Sequence, residues 1–313
     1  MKGMIFKRLG QLILLLIGVS FIVFMSMHLA PGDAASMVAG PTATASDIEQ
    51  IRINLGLDRP IFIQYFDYLR GIATGYFGTS FQYNRPVADI LLEAFPNTIQ
   101  LAIASIIVAI ILGVSAGIIS AVKHNTWIDR LSSLVSLIGI SLPNFWLGAV
   151  LILIFAVNLG WFPVGGFTHP IWTMQGLRQI TLPAITLGAA SAAMISRMSR
   201  ASMLEVIRAD YIRTARAKGL KEKSIILVHS LRNAMIPVIT VIGVNFGLLL
   251  GGSIITENVF AIRGLGSVIV EAIARRDFPV VQGAVLIVAS VFVVINLLID
   301  IIYTLVDPRI SYE

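Results

Sequence analysis

The 313-residue sequence predicts an all-α polytopic membrane protein with six transmembrane helices. Only 13% of its residues are charged, about half of what soluble domains carry, and the mean hydropathy is +0.87. The charged residues leave six long uncharged runs, at 9–32, 94–122, 131–177, 179–196, 233–256 and 278–299. A helix of about 20 apolar residues crosses the hydrocarbon core of a bilayer, and each run is at least nearly long enough for one such span.

The six spans are predicted at 9–29, 98–122, 134–157, 180–196, 235–256 and 280–299. The longest run holds only one span, since glycines and prolines after Asn158 indicate a loop. Pro143 is the one interruption expected within that span. The fourth span is short, which predicts a helix that continues beyond the bilayer on its arginine-rich side.

Lysine and arginine counts predict that both termini are cytoplasmic. With that orientation the inside segments carry 15 basic residues, against 8 in the longer outside segments. The alternative, a cleaved signal peptide within 1–30, is disfavoured because its apolar stretch exceeds the usual length. The chain then divides into 1–29 with the first span, an extracytoplasmic loop domain at 30–97, and a core of five spans at 98–313.

The loop domain is too long for a simple connector and has helix signals of its own. Ser46 and Glu49 have the spacing of a capping box, Gly56 is a helix stop, and Pro60 begins a second short helix. Aromatic residues are dense between 62 and 83. They indicate either a belt at headgroup depth or a docking surface for an extracytoplasmic partner.

The sequence lacks the residues that proton coupling, ATP hydrolysis and metal binding require. No charged residue lies well inside a predicted span, which disfavours a proton-coupled secondary transporter. A phosphate-binding loop needs Gly-Lys, and this dipeptide does not occur, so we expect no ATPase site in this chain. There is no cysteine, and the four histidines lack ligand spacing, so neither a metal nor another cofactor is expected.

One motif has two interpretations. Gly113–Gly117 matches the G-x-S-x-G pattern around a serine nucleophile, which would make Ser115 the centre of an intramembrane hydrolase. The same glycines, four residues apart in an apolar helix, are typical of close helix packing. Packing is the favoured interpretation, because no histidine lies in the middle of a span to serve as base.

The inside loop 197–234 carries nine basic and three acidic residues. The orientation rule accounts for this charge without nucleic-acid binding, which we do not expect. An apolar stripe with helical spacing runs through Leu204, Ile207, Tyr211 and Ala215. Gly219, directly after Lys218, indicates a helix stop. A short amphipathic helix of this kind suits docking into a groove on a cytoplasmic partner.

The residues R-T-A-R-A-K-G of Arg213–Gly219, followed after nine residues by His229–Arg232, resemble the EAA loop of ABC importer permeases. The second alanine, the glycine and the leucine of that pattern are kept. Arg213 stands where the pattern has Glu, so an ATPase contact made by that Glu is not carried over.

The departures from the pattern are themselves similar to the peptide/nickel subfamily, and in particular to its first permease. Further matching segments are Arg8-Leu9, Pro31–Asp33, Leu55–Pro60, Phe77–Ser80, Arg85–Val87, Leu182–Ala184, Asp210–Leu220, Leu231–Ala234 with Pro237, Gly264–Gly266, Arg276–Gln282 and Asp307–Arg309. The resemblance therefore covers nearly the whole chain.

The resemblance implies a type I ABC importer permease fold with a cytoplasmic coupling helix, in a bacterial inner membrane. It implies ATP-driven uptake by a complex of two different permeases, two ATPase subunits that hold ATP and Mg²⁺, and an extracytoplasmic binding protein. The ATPase-contacting residues would be Leu204, Ile207, Asp210, Tyr211, Arg213, Thr214, Ala215, Ala217, Lys218, Gly219 and Leu220. Dipeptides, oligopeptides, glutathione, nickel or metallophores, and glycans all remain open as substrates.

Two further sets of residues are candidates. Asn144, Asn245 and Asn296 lie in predicted spans and could line the path, or could form hydrogen bonds between helices. The outside segment 257–279 has balanced charges that suit docking of the binding protein, at Glu257, Arg263, Arg275, Arg276 and Asp277.

Overall fold

A computed structural model describes residues 2–29, 34–39 and 43–306. Within these ranges the predicted all-α class is confirmed, and the single β-bridge pairs Thr79 with Pro86. The helices are α1 (Lys2–Leu29), α2 (Ala34–Ala39), α3 (Ala45–Asn54), α4 (Ile61–Ala73), α5 (Val87–Val122), α6 (Trp127–Ser141), α7 (Asn144–Leu151), α8 (Met174–Ile207), α9 (Asp210–Ala217), α10 (Glu222–Ser224), α11 (Leu231–Val259), α12 (Leu265–Ala274) and α13 (Phe278–Val306). The matching segments Pro31–Asp33 and Asp307–Arg309 lie outside the described residues.

Four helical stretches are long and apolar enough to cross a bilayer: Val87–Val122, Met174–Ile207, Glu222–Gly251 and Phe278–Ile299. A fifth span results if α6 and the stretch Asn144–Asn158 are counted together, although they are bent by 108°. The apolar part of α1, Leu12–Ser26, is shorter than these. The described residues thus support four or five spans, and the sixth stays a prediction.

The bend between α6 and α7 lies at Pro143, the interruption expected from the sequence. Leu142, directly before it, is extended with ψ 130°, because the proline ring disfavours helical backbone in the preceding residue. Pro143 then begins α7, and a π-helical turn over Ile152–Asn158 continues it. The stretch predicted as one span is therefore two short helices.

The structure forms two compact units, of which the first comprises Met1–Pro96 and Ser267–Val293 in their described parts. Its α3 has a capping box, but the residues that form it are Thr44 and Asp47, so the prediction of Ser46 and Glu49 was wrong by two positions. The side-chain hydrogen bond of Thr44 is the main cause that lowers the pKa of Asp47. Gly56, with φ +67°, follows the end of α3 and confirms the predicted stop.

The second unit, Asn97–Gly266 and Val294–Glu313, is centred on α8, which packs against α6, α7 and α11. A Cβ on Gly117 of α5 would lie 2.5 Å from Cβ of Ser199, and one on Gly113 would lie 2.6 Å from the carbonyl oxygen of Ala192. Helix packing is therefore the role of this glycine pair. Ser115 is exposed on another side of α5, and no base is hydrogen-bonded to it in the described part of the chain.

Candidate functional site

The predicted coupling segment forms the short helix α9, which leaves the end of α8 through a two-residue break. Ala209 is extended, with ψ 149°, so α8 ends at Ile207 and α9 begins at Asp210. Gly219 has φ +76°, a backbone conformation that glycine adopts without steric cost, and it ends α9 as predicted. α9 is therefore an eight-residue helix with defined ends.

The predicted stripe of Leu204, Ile207, Tyr211 and Ala215 is not continuous, because the break at Ala209 divides it between two helices. Leu204 and Ile207 pack against a small core of Ala121, Met203 and Ala234, which contains no residue of α9. Tyr211 is 45% exposed and Ala215 is half-buried. Leu204 and Ile207 therefore belong to α8 and not to α9, and their contact with an ATPase stays a prediction.

Two side-chain contacts fix α9 to the segment that enters α11. Nδ2 of Asn233 donates a hydrogen bond of 2.8 Å to the hydroxyl of Tyr211. At the other end of α9, the Arg216 guanidinium forms bonds of 2.7 and 3.3 Å with Glu222. The hydrogen bond between them raises the pKa of Arg216 and lowers the pKa of Glu222, so both ionised forms are favoured. These contacts hold α9 at both ends.

Ile212 is the one fully buried side chain of α9, with 0% exposure. Sequence reasoning missed it, as it missed Asn233 and Glu222, although its spacing of three from Ala215 was a usable signal. The remaining predicted residues form the accessible surface of α9 and of the turn after it: Asp210, Tyr211, Arg213, Thr214, Ala217, Lys218, Gly219 and Leu220. α9 thus exposes mainly polar side chains, and the buried apolar side chain of Ile212 attaches it to the rest of the chain.

A buried ion pair stabilises α8, the helix that leads to α9. Asp129 is 4% exposed and receives bonds from Arg200 at 2.6 Å (Nε to Oδ1) and 2.8 Å (Nη2 to Oδ2). The hydroxyl of Ser120 and the backbone N–H of Asn125 also donate to this carboxylate, and His124 lies 3.3 Å from it. This Asp129 cluster ties the turn between α5 and α6 to α8. No local pattern in the sequence indicates this cluster, because Asp129 and Arg200 are 71 positions apart.

The three candidate path residues have different environments. Asn245 is 5% exposed and donates to the carbonyl of Val241 in its own helix at 2.8 Å, so it lies inside the chain. Asn144 is half-buried at the first turn of α7, and Asn296 is half-buried in α13. Lining of a path by Asn144 and Asn296 stays a prediction.

The predicted docking carboxylate Glu257 is turned inward in the second unit. It is 0% exposed and accepts a hydrogen bond of 2.8 Å from the hydroxyl of Thr98, which in turn accepts from the backbone N–H of Leu265. A Cβ on Gly264 would lie 2.4 Å from the Glu257 carboxyl carbon. Glu257 therefore braces the turn before α12, and its expected place on a docking surface was wrong. Arg263, in the same turn, is exposed.

Asp277 is likewise buried, in the first unit, with 1% exposure. It accepts hydrogen bonds from the hydroxyl of Ser80 and from the backbone N–H groups of Phe81 (3.1 Å) and Gln82 (3.3 Å). It joins two of the matched segments, Phe77–Ser80 and Arg276–Gln282, and is not available for docking.

The arginines before Asp277 remain accessible. Arg275 pairs with Glu271 at 2.9 Å and lies over the ring of Tyr83, whose hydroxyl also donates to Glu271. Arg276 is exposed, with φ +56°. Of the five predicted docking side chains, the three arginines are therefore the ones with exposed charge.

Comparison with known proteins gives full-length relatives. The family model for "Binding-protein-dependent transport system inner membrane component" matches residues 113–312, and the model for the N-terminal region of such components matches residues 1–102. The "Glutathione transport system permease protein GsiC" of Escherichia coli (strain K12) is 45% identical over 313 residues, which is 100% of both chains. The protein of the same name from Shigella dysenteriae serotype 1 has the same identity and coverage.

Solved structures show the same fold. An inward-facing MetNI methionine ABC transporter matches with a TM-score of 0.58 at 21% identity, over 70% of this chain and 96% of the other. An amino acid ABC transporter solved with histidines matches with a TM-score of 0.50 at 16% identity, over 71% and 94%. At these identities the likeness concerns the fold.

Proposed function

Because this chain belongs to the family of inner membrane components of binding-protein-dependent transport systems, we propose that it imports glutathione or a closely related short peptide as half of a translocation path. It is a permease subunit of an ABC importer, and in this family the ATPase is on separate subunits. The observation that supports the substrate is the 45% identity over the full length to glutathione transport permeases.

In this proposal α9 is the coupling helix. Its exposed residues, among them Asp210, Arg213 and Thr214, dock in a groove on an ATPase subunit, while Ile212 anchors the helix to the permease. Closure of the ATPases around ATP and Mg²⁺, which they hold themselves, displaces α9 as a rigid body. Coupling requires that α9 bind the open and closed ATPases with different affinity, since otherwise ATP could shift no equilibrium.

The proposed assembly has a second, homologous permease, two ATPase subunits and an extracytoplasmic binding protein. Permeases of this family generally work with such partners. The chain is a multi-pass inner-membrane protein, and we propose six spans with both termini in the cytoplasm. The bias of basic residues toward the segment that contains α9 supports this orientation.

We further propose that the binding protein contacts the exposed Arg275 and Arg276, which the buried Asp277 positions through its hydrogen bonds. Replacing Arg276 by Glu should weaken stimulation of the ATPases by the binding protein without changing basal ATP hydrolysis. Unchanged stimulation would remove this face from the interface.

The substrate is tested by uptake of labelled glutathione into proteoliposomes that hold the complete transporter. Unlabelled glutathione should compete fully, and dipeptides and nickel chelates weakly. Equal or stronger competition by a dipeptide or a chelate would exclude glutathione as the principal substrate.

The role of α9 is tested separately with Ala217→Trp, which adds bulk to an exposed position that takes part in no side-chain hydrogen bond. Uptake should be lost and the ATPases should dissociate more readily. Arg130→Trp, at an exposed position of α6, is the matched control and should transport normally. Normal uptake with Ala217→Trp would exclude α9 as the coupling helix.

A further inference from the structure

Helix α4 has one side fixed to α1. The hydroxyl of Tyr65 lies 3.1 Å from the carbonyl oxygen of Ile17 and 2.9 Å from the hydroxyl of Ser20. The ring of Tyr65 also contacts Phe24, with centroids 5.3 Å apart, and Tyr68 stacks on the same ring at 5.7 Å. α4 therefore crosses α1 in direct contact with it, within the same unit of the structure.

Next to the side that contacts α1, a second face of α4 is apolar and open. Positions i, i+4, i+7 and i+11 of one helical face are Phe62, Phe66, Leu69 and Ala73, which we call the α4 stripe. Phe62 is 83% exposed and Phe66 is 67% exposed. Two phenylalanine rings side by side in water are unfavourable, so this face requires an apolar environment.

The contacts with α1 place α4 at membrane depth. Phe24 lies five residues before the end of α1 at Leu29, which corresponds to about 8 Å of helix, and Ile17 lies about 18 Å before it. One leaflet contributes about 15 Å of hydrocarbon. If α1 spans the membrane, the contacts of α4 with Phe24 and Ser20 thus lie at the depth of one leaflet's hydrocarbon, and the contact with Ile17 reaches about its inner boundary. At this depth α4 does not lie above the headgroups.

The surface of α1 that flanks this crossing is apolar and exposed as well. Leu14 is 73% exposed and Ile22 is 68% exposed. Phe21, itself 49% exposed, contacts the ring of Tyr65 edge-on at 5.5 Å. The surfaces of α1 and α4 are therefore continuous, and the lipid that surrounds a spanning α1 also reaches the α4 stripe.

We propose that α4 is an interfacial helix embedded in the outer leaflet, with the α4 stripe in contact with phospholipid acyl chains. The choice of leaflet rests on the cytoplasmic N-terminus proposed above. The charges on α4 are compatible with this depth: Asp67 pairs with Arg59 at 3.3 Å, and the long side chain of Arg70 can reach the headgroups. In this way α4 holds the loop domain at the bilayer surface, near the C-terminal end of α1 at Leu29.

The absence of cysteine makes a single-label test direct. Phe66→Cys and, as a second site, Phe62→Cys carry a bimane fluorophore in the complete transporter, reconstituted in vesicles with or without phospholipids brominated on the acyl chain. Asp67→Cys, one position away on the charged edge of α4, is the matched control. Brominated lipid should quench label 66 at least threefold more than label 67, and iodide in the buffer should quench label 67 more strongly.

Equal quenching of both labels by iodide would overturn the proposal, because the stripe would then face water. Shielding of label 66 from both quenchers would also overturn it, since the stripe would then be covered by another subunit or by the binding protein. Quenching depends on assembly in the bilayer and not on transport. A failure of glutathione uptake therefore leaves this test unaffected.

Discussion

Replacing Asp129 by Asn should destabilise the protein by about 3 kcal/mol, because it leaves the Arg200 guanidinium without its counter-ion in a largely buried site. Two bonds, of 2.6 and 2.8 Å, join these ions, so their charge centres lie about 4 Å apart. At an effective dielectric constant near 20, that separation corresponds to about 4 kcal/mol of attraction. The side chain of Arg200 is 30% exposed, so water recovers part of this loss in the variant.

The assay is thermal melting of the detergent-solubilised transporter, in which the precipitation of this chain is measured as the temperature rises. For a chain of this length 1 kcal/mol corresponds to roughly 2 °C, so Asp129→Asn should lower the midpoint by about 6 °C. Arg200→Gln should have a similar effect, and the double variant should be much less than additive. Arg130→Gln, an exposed neighbour, is the control and should change the midpoint by less than about 1 °C. An additive double variant would refute the assigned pairing.

Three further outcomes are expected. Gly219→Ala should reduce glutathione uptake, because a Cβ at φ +76° costs about 1–2 kcal/mol even though nothing lies within 4 Å of it. Gly219→Asn should transport nearly normally, and equal uptake by the two variants would exclude a backbone effect. Tyr211→Phe removes the hydroxyl that accepts from Asn233, and it should weaken the attachment of α9 to α11 by about 1 kcal/mol. Backbone hydrogen exchange in α9 should then become faster, and adding Asn233→Ala should increase the exchange rate little further. Gly117→Leu should prevent stable insertion, measured as the amount of this chain recovered in membranes, because no side chain fits between α5 and Ser199. Ser115→Ala should keep full uptake. Loss of uptake with intact insertion in Ser115→Ala would instead support a nucleophilic serine.

Local features of the sequence predicted local features of the structure. Uncharged runs located the long helices, since hydropathy depends on residues that are adjacent in the chain. Gly219 and Gly56 ended their helices as expected, because a left-handed residue after the last turn is a property of a few neighbouring positions. The capping box was misplaced by two residues because Thr44–Asp47 and Ser46–Glu49 have the same spacing, and only the start of α3 distinguishes them.

Features that depend on distant residues were not predictable in this way. The charges of Glu257 and Asp277 indicated an exposed patch, yet Thr98 and Ser80 give them buried partners 159 and 197 positions away. The same holds for Asp129 and Arg200. A buried carboxylate requires a partner, but the sequence does not say which residue supplies it.

The attachment of α9 is mechanically unequal on its two sides. Toward α8 it is joined through the backbone of Arg208 and of the extended Ala209. Toward α11 it is joined by Tyr211–Asn233 and Arg216–Glu222, one strut at each end of the helix. In the proposed mechanism, these two side-chain contacts pass a displacement of α9 on to α11. If α9 is the coupling helix, a change in the length of either side-chain contact is expected to alter how far the permease moves when the ATPases close.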